Sequence, residues 1–247
     1  MSFLKKARFL PAGDKALVVE FGNEISEEIN NIVINLSFFI ETLNLPEIEE
    51  VVPTYRSLLI YYNPTRSNII ELKEKIEGLI ENLTMIKPKE PKTFFVPVLY
   101  GGEFGPDLSF VAEFNNISES EVIRLHTSVK YKIYMIGCAP WFPYLGGMWE
   151  KISTPRLETP RKLVKAGSVG IAGKQTGIYP IDDPGGWRII GRTPIKIYNP
   201  LNDPPVLFLP GDYIKFEAIS HNEYDQIVKQ VELGKYKIVS VYQKWNY

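Results

Sequence analysis

Glycine and proline are concentrated in one stretch, Tyr134 to Pro194, and this stretch limits the folds open to the chain. It holds ten of the 18 glycines and seven of the 19 prolines. Glycine leaves the backbone unrestrained, whereas proline fixes φ and removes a hydrogen-bond donor, so long helices are excluded here. The stretch therefore predicts short strands joined by tight turns. Irregular segments of this kind often carry functional residues on a rigid scaffold, so we expect the functional site here.

The composition indicates a protein with a real hydrophobic core and no extreme charge. Of the 247 residues, 45% are hydrophobic and 23% are charged, which suits two modest domains or one large β domain. A net charge of -1 argues against nucleic acid as a partner. The sequence shows no signal peptide and no apolar run of about 18 residues. A single cysteine, Cys138, excludes an internal disulfide, and together these features predict a cytoplasmic protein.

The first third of the chain predicts two helices and four strands. Apolar residues recur every three or four positions from Ile25 to Leu43 and again from Ile69 to Leu83, with Ser67 as the predicted cap of the second helix. The predicted strands are Phe9–Leu10, Ala16–Phe21, Ile48–Val52 and Ser57–Tyr62. The order ββαββα predicts a small two-layer α/β domain over residues 1–88.

A polar segment with two prolines, Lys87 to Thr93, marks the predicted domain boundary. Beyond it, residues 93–247 predict a β-barrel, so the fold class is α+β. Pro97 predicts an edge position or a bulge in its strand, Asp107 can cap a short helix, and Ser118 with Glu121 forms a capping box. The further predicted elements are strands at Phe94–Tyr100, Tyr131–Ile136, Ile195–Tyr198, Val206–Leu209, Tyr213–Ile219 and Tyr236–Tyr242, and a helix at His221–Leu233.

A phosphate-binding loop is suggested by the glycines from Ala166 to Lys174, but the motif fails. Ser168 stands where the first required glycine belongs, and Gln175 replaces the hydroxyl residue that would reach the metal. Backbone amides here could still bind an anion. Glycines required by tight β turns are the simpler interpretation.

Nucleophiles and metal ligands have weak support. Ser168 resembles a nucleophile elbow, yet both of its flanks predict strand or coil instead of a helix. Cys138 with His126 is a conceivable catalytic pair, although a lone cysteine after an apolar strand is commonly a buried hydrophobe. Two histidines and one cysteine show no metal-ligand spacing, so no metal site is expected.

Three arginines next to prolines are better candidates for binding. Arg156 and Arg161 follow Thr-Pro pairs, and Arg192 precedes Thr193-Pro194. A guanidinium held by a rigid turn can bind a carboxylate or a phosphate through two parallel hydrogen bonds. The alternative is that these arginines donate hydrogen bonds to backbone carbonyls of neighbouring loops and have a structural role.

Several long motifs resemble the B-subunit family of 5-oxoprolinase, which is also called KipI or allophanate hydrolase subunit 1. These are Gly13-Asp14, Tyr55-Arg-Ser-Leu58, Val98-Leu-Tyr-Gly-Gly-Glu103, Gly105-Pro-Asp107, Leu125-His-Thr127, Pro143-Tyr-Leu-Gly-Gly147, the doubled Thr-Pro-Arg, Ala166 to Gly173, Gln175-Thr-Gly-Ile-Tyr-Pro180, Pro184 to Pro194 and Pro210-Gly-Asp212. The resemblance covers nearly the whole chain. It departs at Trp141, where the family usually has glycine, and glycine suits a turn with positive φ as no other residue does.

The resemblance implies a cyclophilin-like closed β-barrel after the small domain. It also implies two partner proteins: a cyclophilin-like C-type subunit, also called a KipA-type protein, and an A-type subunit. Together, the three subunits would open 5-oxoproline to glutamate with ATP and Mg, at a site shared with the partner. Related proteins imply two alternatives: inhibition of a sensor histidine kinase, and the carboxyltransferase part of urea carboxylase.

Site roles follow from this implied chemistry as hypotheses. His126, Gln175 and Tyr179 are the predicted catalytic residues, with His126 as a proton carrier. Arg156, Arg161, Arg192 and Thr176 are the predicted ligands of substrate or phosphate. Trp141, Phe142, Tyr144 and Trp187 are the predicted contacts with the partner subunit.

Overall fold

The structure is a computed structural model that describes residues 7–83, 90–137, 141–202 and 205–242. The chain divides into two compact units, Met1–Glu90 and Pro91–Tyr247, and each has its own hydrophobic core. The α+β fold class predicted from the sequence is confirmed. Residues 87–89 of the predicted linker lie outside the described residues, and so does Cys138.

The first unit is an antiparallel four-stranded sheet covered by two helices. Its strands are β1 (Arg8–Pro11), β2 (Ala16–Glu20), β3 (Ile48–Pro53) and β4 (Ser57–Tyr62), in the order β1-β2-β4-β3. The helices are α1 (Glu27–Leu43) and α2 (Ile69–Asn82). Alternate residues of β2 and β4, such as Leu17 with Val19 and Leu58 with Ile60, share one core with both helices. This is the two-layer arrangement that the sequence predicts.

Side-chain caps set the ends of these helices. Ser26 caps α1, and Asn44 ends it in the left-handed region at φ 46°. The predicted cap of α2, Ser67, is wrong by one residue. Asn68 accepts hydrogen bonds from the backbone of the first turn, while the Glu71 carboxylate reaches back to the Asn68 N–H. Asn68 is therefore the residue that completes a capping box with Glu71.

Seven strands in the described part of the second unit close into a barrel. The order is β12-β9-β10-β7-β6-β13-β5, and β12 pairs again with β5 to close the ring. These strands are β5 (Lys92–Tyr100), β6 (Tyr131–Ile136), β7 (Pro143–Gly146), β9 (Ser168–Ala172), β10 (Gln175–Ile178), β12 (Arg188–Arg192) and β13 (Tyr213–Ala218). Outside the ring, β14 (Ser240–Tyr242) pairs with β5, and β8 (Arg161–Val164) pairs with β11 (Asp183–Gly185).

Pro97 lies inside β5 without breaking the barrel. The second neighbour of β5 changes from β14, which pairs as far as Phe94, to β12, which pairs from Leu99. Phe95 donates its N–H to Val239 O on that side, and Pro97, two residues later, faces the same side. The missing N–H of Pro97 therefore lies where neither β14 nor β12 pairs with β5. Such a position is equivalent to a sheet edge, which the sequence predicts for Pro97.

Three helices accompany the barrel: α3 (Leu108–Phe114), α4 (Glu119–Ser128) and α5 (His221–Glu232). Ser118 caps α4 through a 3.1 Å bond from the Glu121 N–H, but the Glu121 carboxylate binds Arg124, so the predicted capping box is only half formed. No helix among the described residues is long and apolar enough to cross a membrane.

Two predicted strands, Ile195–Tyr198 and Val206–Leu209, are wrong. They form one isolated bridge, between Tyr198 and Val206, and pair with each other instead of with the barrel. Ile195, Ile197 and Phe208 are nevertheless buried in the barrel core, whereas Leu209 is exposed. Nearby prolines, which lack N–H donors, limit the ladder.

Candidate functional site

The predicted site residues lie in three places in the second unit. Tyr179, Phe142, Tyr144 and Trp187 gather in one cluster, with Arg156 over the Trp187 ring and Arg161 at the Trp187 carbonyl. His126 and Thr176 lie fully buried inside the barrel. Arg192 ends β12 beside Phe104, apart from both groups.

The first group covers the outer face of the barrel. Ile171 and Ile190 belong to the barrel core, whereas their sequence neighbours Ala172 and Ile189 belong to the cluster. Successive residues of a strand point to opposite faces, so the cluster lies outside the ring. We call it the outer aromatic cluster: Phe142, Val164, Ala172, Tyr179, Trp187 and Ile189, with Tyr144 packed against it.

Phe142 is the centre of this cluster. Its ring centroid lies 5.1 Å from Trp187 at 63°, 5.3 Å from Tyr179 at 89° and 5.1 Å from Tyr144 at 52°. Such edge-to-face pairs are the favoured aromatic geometry. Phe142 and Trp187 are buried at 4% and 6% exposure, so they support the surface from within. Tyr144 is half-buried and Trp141 is exposed, so these two remain the predicted partner contacts that reach solvent.

Two glycines make room for the aromatic rings. Gly170 and Gly177 face each other across β9 and β10. A Cβ on Gly177 would stand 2.6 Å from the Phe142 ring, and one on Gly170 would stand 3.1 Å from the Trp187 Cβ. Close packing of rings on the strands therefore accounts for these glycines.

The backbone amides of the glycine-rich segment already have acceptors within the protein. Ala166 donates to the Asp182 carboxylate, Gly167 to Tyr179 O, and Gly173 to Thr154 O. Ser168, the candidate nucleophile, is buried at 1% exposure and begins a strand instead of a helix. These engaged amides favour the turn interpretation over an anion-binding loop.

Arg161 is held by Asp107 at the edge of the outer aromatic cluster. Its Nη2 lies 2.8 Å from Asp107 Oδ1, and Asp107 Oδ2 accepts the Ile189 N–H at 2.6 Å. The Asp107 side chain is 8% exposed. Asp107 makes no side-chain cap bond to α3, so the predicted capping role is wrong. Its carboxylate instead ties β8 to β12, because an arginine and a strand N–H compete successfully for it.

Arg156 and Tyr179 present polar groups at this face. The exposed Arg156 guanidinium lies 5.7 Å from the Trp187 ring centroid. Burial raises the pKa of the Tyr179 hydroxyl above its usual value, although a backbone hydrogen bond with Trp187 and the charge of Arg156 oppose the rise. Tyr179 is therefore neutral and can donate a hydrogen bond. Gln175 lies four residues earlier on the same outer face of the strand.

His126 belongs to a hydrogen-bonded chain inside the barrel. Thr176 Oγ1 donates to Gly170 O at 2.9 Å, so it must accept from His126 Nε2, also at 2.9 Å. His126 Nδ1 then accepts from the Tyr100 hydroxyl at 2.7 Å. The ring stacks on Phe216 at 4.6 Å, and burial lowers its pKa to about 3. A neutral, enclosed ring with both nitrogens engaged favours a structural role over the predicted role of proton carrier.

Comparisons with known proteins agree with the motifs that the sequence shares with one family. The family model for the carboxyltransferase domain, subdomain C and D, matches residues 7–208. The B subunit of 5-oxoprolinase from Bacillus subtilis (strain 168) is 41% identical over 226 residues, covering 86% of this chain and 92% of that protein. The chain belongs to the B-subunit family of 5-oxoprolinase.

Two solved structures are similar in fold to this member of the B-subunit family. A conserved uncharacterized protein from Pyrococcus horikoshii is 49% identical, with a TM-score of 0.53, covering 88% of this chain and 100% of that one. The Kluyveromyces lactis urea carboxylase is 22% identical with a TM-score of 0.74 over 96% of this chain and 24% of that one. This second likeness concerns the fold alone.

Sequence reasoning missed two residues of the B-subunit family motifs. Tyr100 meets His126 across 26 residues, and Asp107 meets Arg161 across 54. Both stand in motifs shared with the family, Val98 to Glu103 and Gly105 to Asp107, and that sharing was the available signal. Among the described residues, no group of histidine, cysteine, aspartate and glutamate side chains could hold a metal ion.

Trp141 occupies the left-handed region, at φ 65°, a conformation that favours glycine. Its indole stacks on Tyr198 at 6.0 Å and 21°. Replacing Trp141 with glycine should relieve strain of about 1–2 kcal/mol and lose a ring contact of about 0.5–1.5 kcal/mol. These terms nearly cancel, so we expect a larger change in ligand affinity than in melting temperature.

Calorimetric melting and ligand titration of Trp141→Gly test this expectation. Trp149→Gly is the matched control, because Trp149 is half exposed but has an ordinary φ of -57°. Glycine should therefore relieve no strain there, and Trp149→Gly should lose stability. Unchanged ligand binding together with a large drop in melting temperature for Trp141→Gly would contradict the expectation.

Proposed function

We propose that this chain is the B subunit of an ATP-dependent 5-oxoprolinase that opens the lactam of 5-oxoproline to give glutamate. The observation that carries the proposal is the 41% identity to a 5-oxoprolinase B subunit over most of both chains. In the overall reaction, 5-oxoproline, ATP and two water molecules give glutamate, ADP and phosphate. ATP supplies activation of the lactam carbonyl, because an amide is too stable for attack by water at a useful rate.

ATP and Mg are assigned to a site shared with a partner subunit in this proposal. The described residues offer no metal cluster, and the amides of the glycine-rich segment are engaged within the protein. This chain does not fit as the principal nucleotide site. A C-type protein related to KipA, with an A-type protein, would supply those groups.

The outer aromatic cluster would form one wall of the shared site. Tyr179 would donate a hydrogen bond to the lactam, and Gln175 would bind its amide from the same strand. Arg156, held over Trp187, would attract negative charge that develops at the carbonyl. Arg161 would fix the wall through Asp107 instead of binding substrate directly. The aromatic rings would exclude water once the partner covers them.

Removing the Tyr144 ring tests the partner surface. Tyr144→Ala should weaken binding to the C-type protein about 30-fold, since a tyrosine anchor in an interface contributes about 2 kcal/mol. Isothermal titration of the purified proteins measures the affinity. Ile70→Ala is the control, because Ile70 is 67% exposed on α2 in the other unit. Equal affinities for both variants, with Tyr144→Ala still folded by circular dichroism, would contradict this surface.

A carboxyltransferase component is the second candidate, because the matching family model describes a carboxyltransferase domain. Such a component would pass a carboxyl group from carboxybiotin to urea or a related amide. Carboxyl transfer from free carboxybiotin, measured with the same partner protein present, distinguishes the two functions. Transfer without glutamate formation from 5-oxoproline would favour the second candidate.

A further inference from the structure

Arg192 carries a buried hydrogen-bond donor that has no acceptor. Its Nε is enclosed, and none of the described residues accepts a hydrogen bond from it. Buried donors are almost always paired, because an unpaired one loses its hydration without compensation. A ligand that carries an acceptor atom would satisfy this donor.

The charges around Arg192 are also incomplete. Lys165 Nζ lies 2.8 Å from Asp182 Oδ2, and the Ala166 N–H donates a 2.8 Å hydrogen bond to Asp182 Oδ1. Asp182 therefore has its near partners, although the charge of Arg192 also helps to lower its pKa. Of these three charged groups, Arg192 alone makes no direct ion pair among the described residues. The group retains one positive charge for an anion.

A group of aromatic rings lies beside the guanidinium. The Phe104 ring centroid lies 5.5 Å from Arg192 Cζ and packs against Tyr224 at 4.8 Å and His221 at 5.7 Å. Phe104 follows Gly101 and Gly102, both at positive φ. A ligand that reaches Nε therefore has to displace one of the groups that enclose it.

We propose that Arg192 anchors a binding subsite for a small organic carboxylate, which lies at the end of β12 and apart from the outer aromatic cluster. The edge formed by Nε and one Nη matches the two oxygens of a planar carboxylate. One unpaired cation suits a monoanion better than a phosphate, which carries nearly two charges. The proposed function places the lactam of 5-oxoproline at the outer aromatic cluster, so this subsite would take a second carboxylate molecule. The subsite itself rests on Arg192 and its surroundings.

Direct titration of the purified full chain, followed by nuclear magnetic resonance, tests the subsite. The probes are 5-oxoproline, cyclopentanecarboxylate, the uncharged 5-oxoprolinamide and inorganic phosphate. We expect both carboxylates to bind at millimolar concentration, 5-oxoprolinamide not to bind, and phosphate to bind more weakly. Arg192→Gln and Arg192→Lys should each bind the carboxylates at least about tenfold more weakly, because an ammonium does not reproduce the planar fork.

Arg188→Gln is the matched control, since Arg188 lies on the same strand with its guanidinium over the Phe110 ring. It should bind the carboxylates as the unmodified chain does. No carboxylate binding to the isolated chain, full binding by Arg192→Gln, or preference for phosphate would overturn the subsite.

The outcomes also separate the subsite from the proposed function. Binding of cyclopentanecarboxylate that depends on Arg192, without binding of 5-oxoproline, keeps the subsite for other small carboxylates and does not bear on the lactam site at the outer aromatic cluster. Equal binding of 5-oxoproline by the unmodified chain and Arg192→Gln overturns the subsite and leaves the proposed function standing.

Discussion

Replacing His126 with alanine is expected to lower the free energy of unfolding by about 4 kcal/mol. The ring is fully buried and stacks on Phe216, so its removal leaves a cavity in the barrel core. It also leaves the Tyr100 hydroxyl without its acceptor and Thr176 Oγ1 without the donor from His126. Urea unfolding followed by circular dichroism measures the loss.

The other histidine provides the control for this prediction. His221 is exposed in the first turn of α5, and His221→Ala should change the free energy of unfolding by less than about 1 kcal/mol. Similar losses for both variants, or a loss below about 1 kcal/mol for His126→Ala, would show that the chain of hydrogen bonds contributes little.

The same histidine should make stability fall in mild acid. In the unfolded chain His126 has its ordinary pKa of 6.5, whereas burial lowers the pKa to about 3 in the folded protein. The unfolded state therefore binds more protons between these values, so this contribution declines as pH falls from about 6.5 towards 3. From pH 7 to about pH 5, the stability difference between the unmodified chain and His126→Ala should shrink by about 2 kcal/mol.

Replacing Gly105 with alanine is expected to cost about 3 kcal/mol or more, at the upper end of what overpacking costs. A Cβ on Gly105 would overlap the carbonyl of Ile190 and stand 2.6 Å from Gly101 N. These are backbone atoms, so no change of rotamer relieves the overlap. Gly105 also donates its N–H to Gly101 O at 2.8 Å, in the turn that brings Asp107 to β12. Thermal and urea unfolding measure the effect.

Gly78→Ala is the matched control for the Gly105 substitution. A Cβ on Gly78 would meet nothing within 4 Å, and Gly78 lies within α2. Alanine there should raise stability by about 0.5–1 kcal/mol, because glycine loses more backbone entropy on folding. If Gly105→Ala unfolds within about 0.5 kcal/mol of the unmodified chain, the turn is not held against β12 as described.

Local sequence patterns predict most elements of this fold for a physical reason. The spacing of apolar residues in α1 and α2, and their alternation in β4, reflect burial on one face. Both patterns are read within one element. The segment around Ile197 and Phe208 marks the limit, because its side chains are buried while its backbone forms a single bridge. The apolar residues of this segment indicate burial, whereas backbone pairing depends on strands that are distant in the sequence.

The sequence predicts the stretch that carries the candidate site, but not the contacts of its residues. Glycine is dense there partly because Gly170 and Gly177 make room for the rings of the outer aromatic cluster. Whether an arginine is free depends on which acid the fold brings to it. Arg161 meets Asp107 across 54 residues, and Arg192 meets no such acid among the described residues. No spacing rule distinguishes these two cases.

Reconstitution of the enzyme tests the central proposal most directly. The purified chain is mixed with the C-type and A-type partner proteins, and glutamate and ADP are measured with 5-oxoproline, ATP and Mg present. We expect both products in equal amounts from the complete mixture, and neither product from this chain alone. Hydrolysis of ATP stimulated by 5-oxoproline in the isolated chain, or a complete complex that leaves 5-oxoproline unchanged, would contradict the proposal.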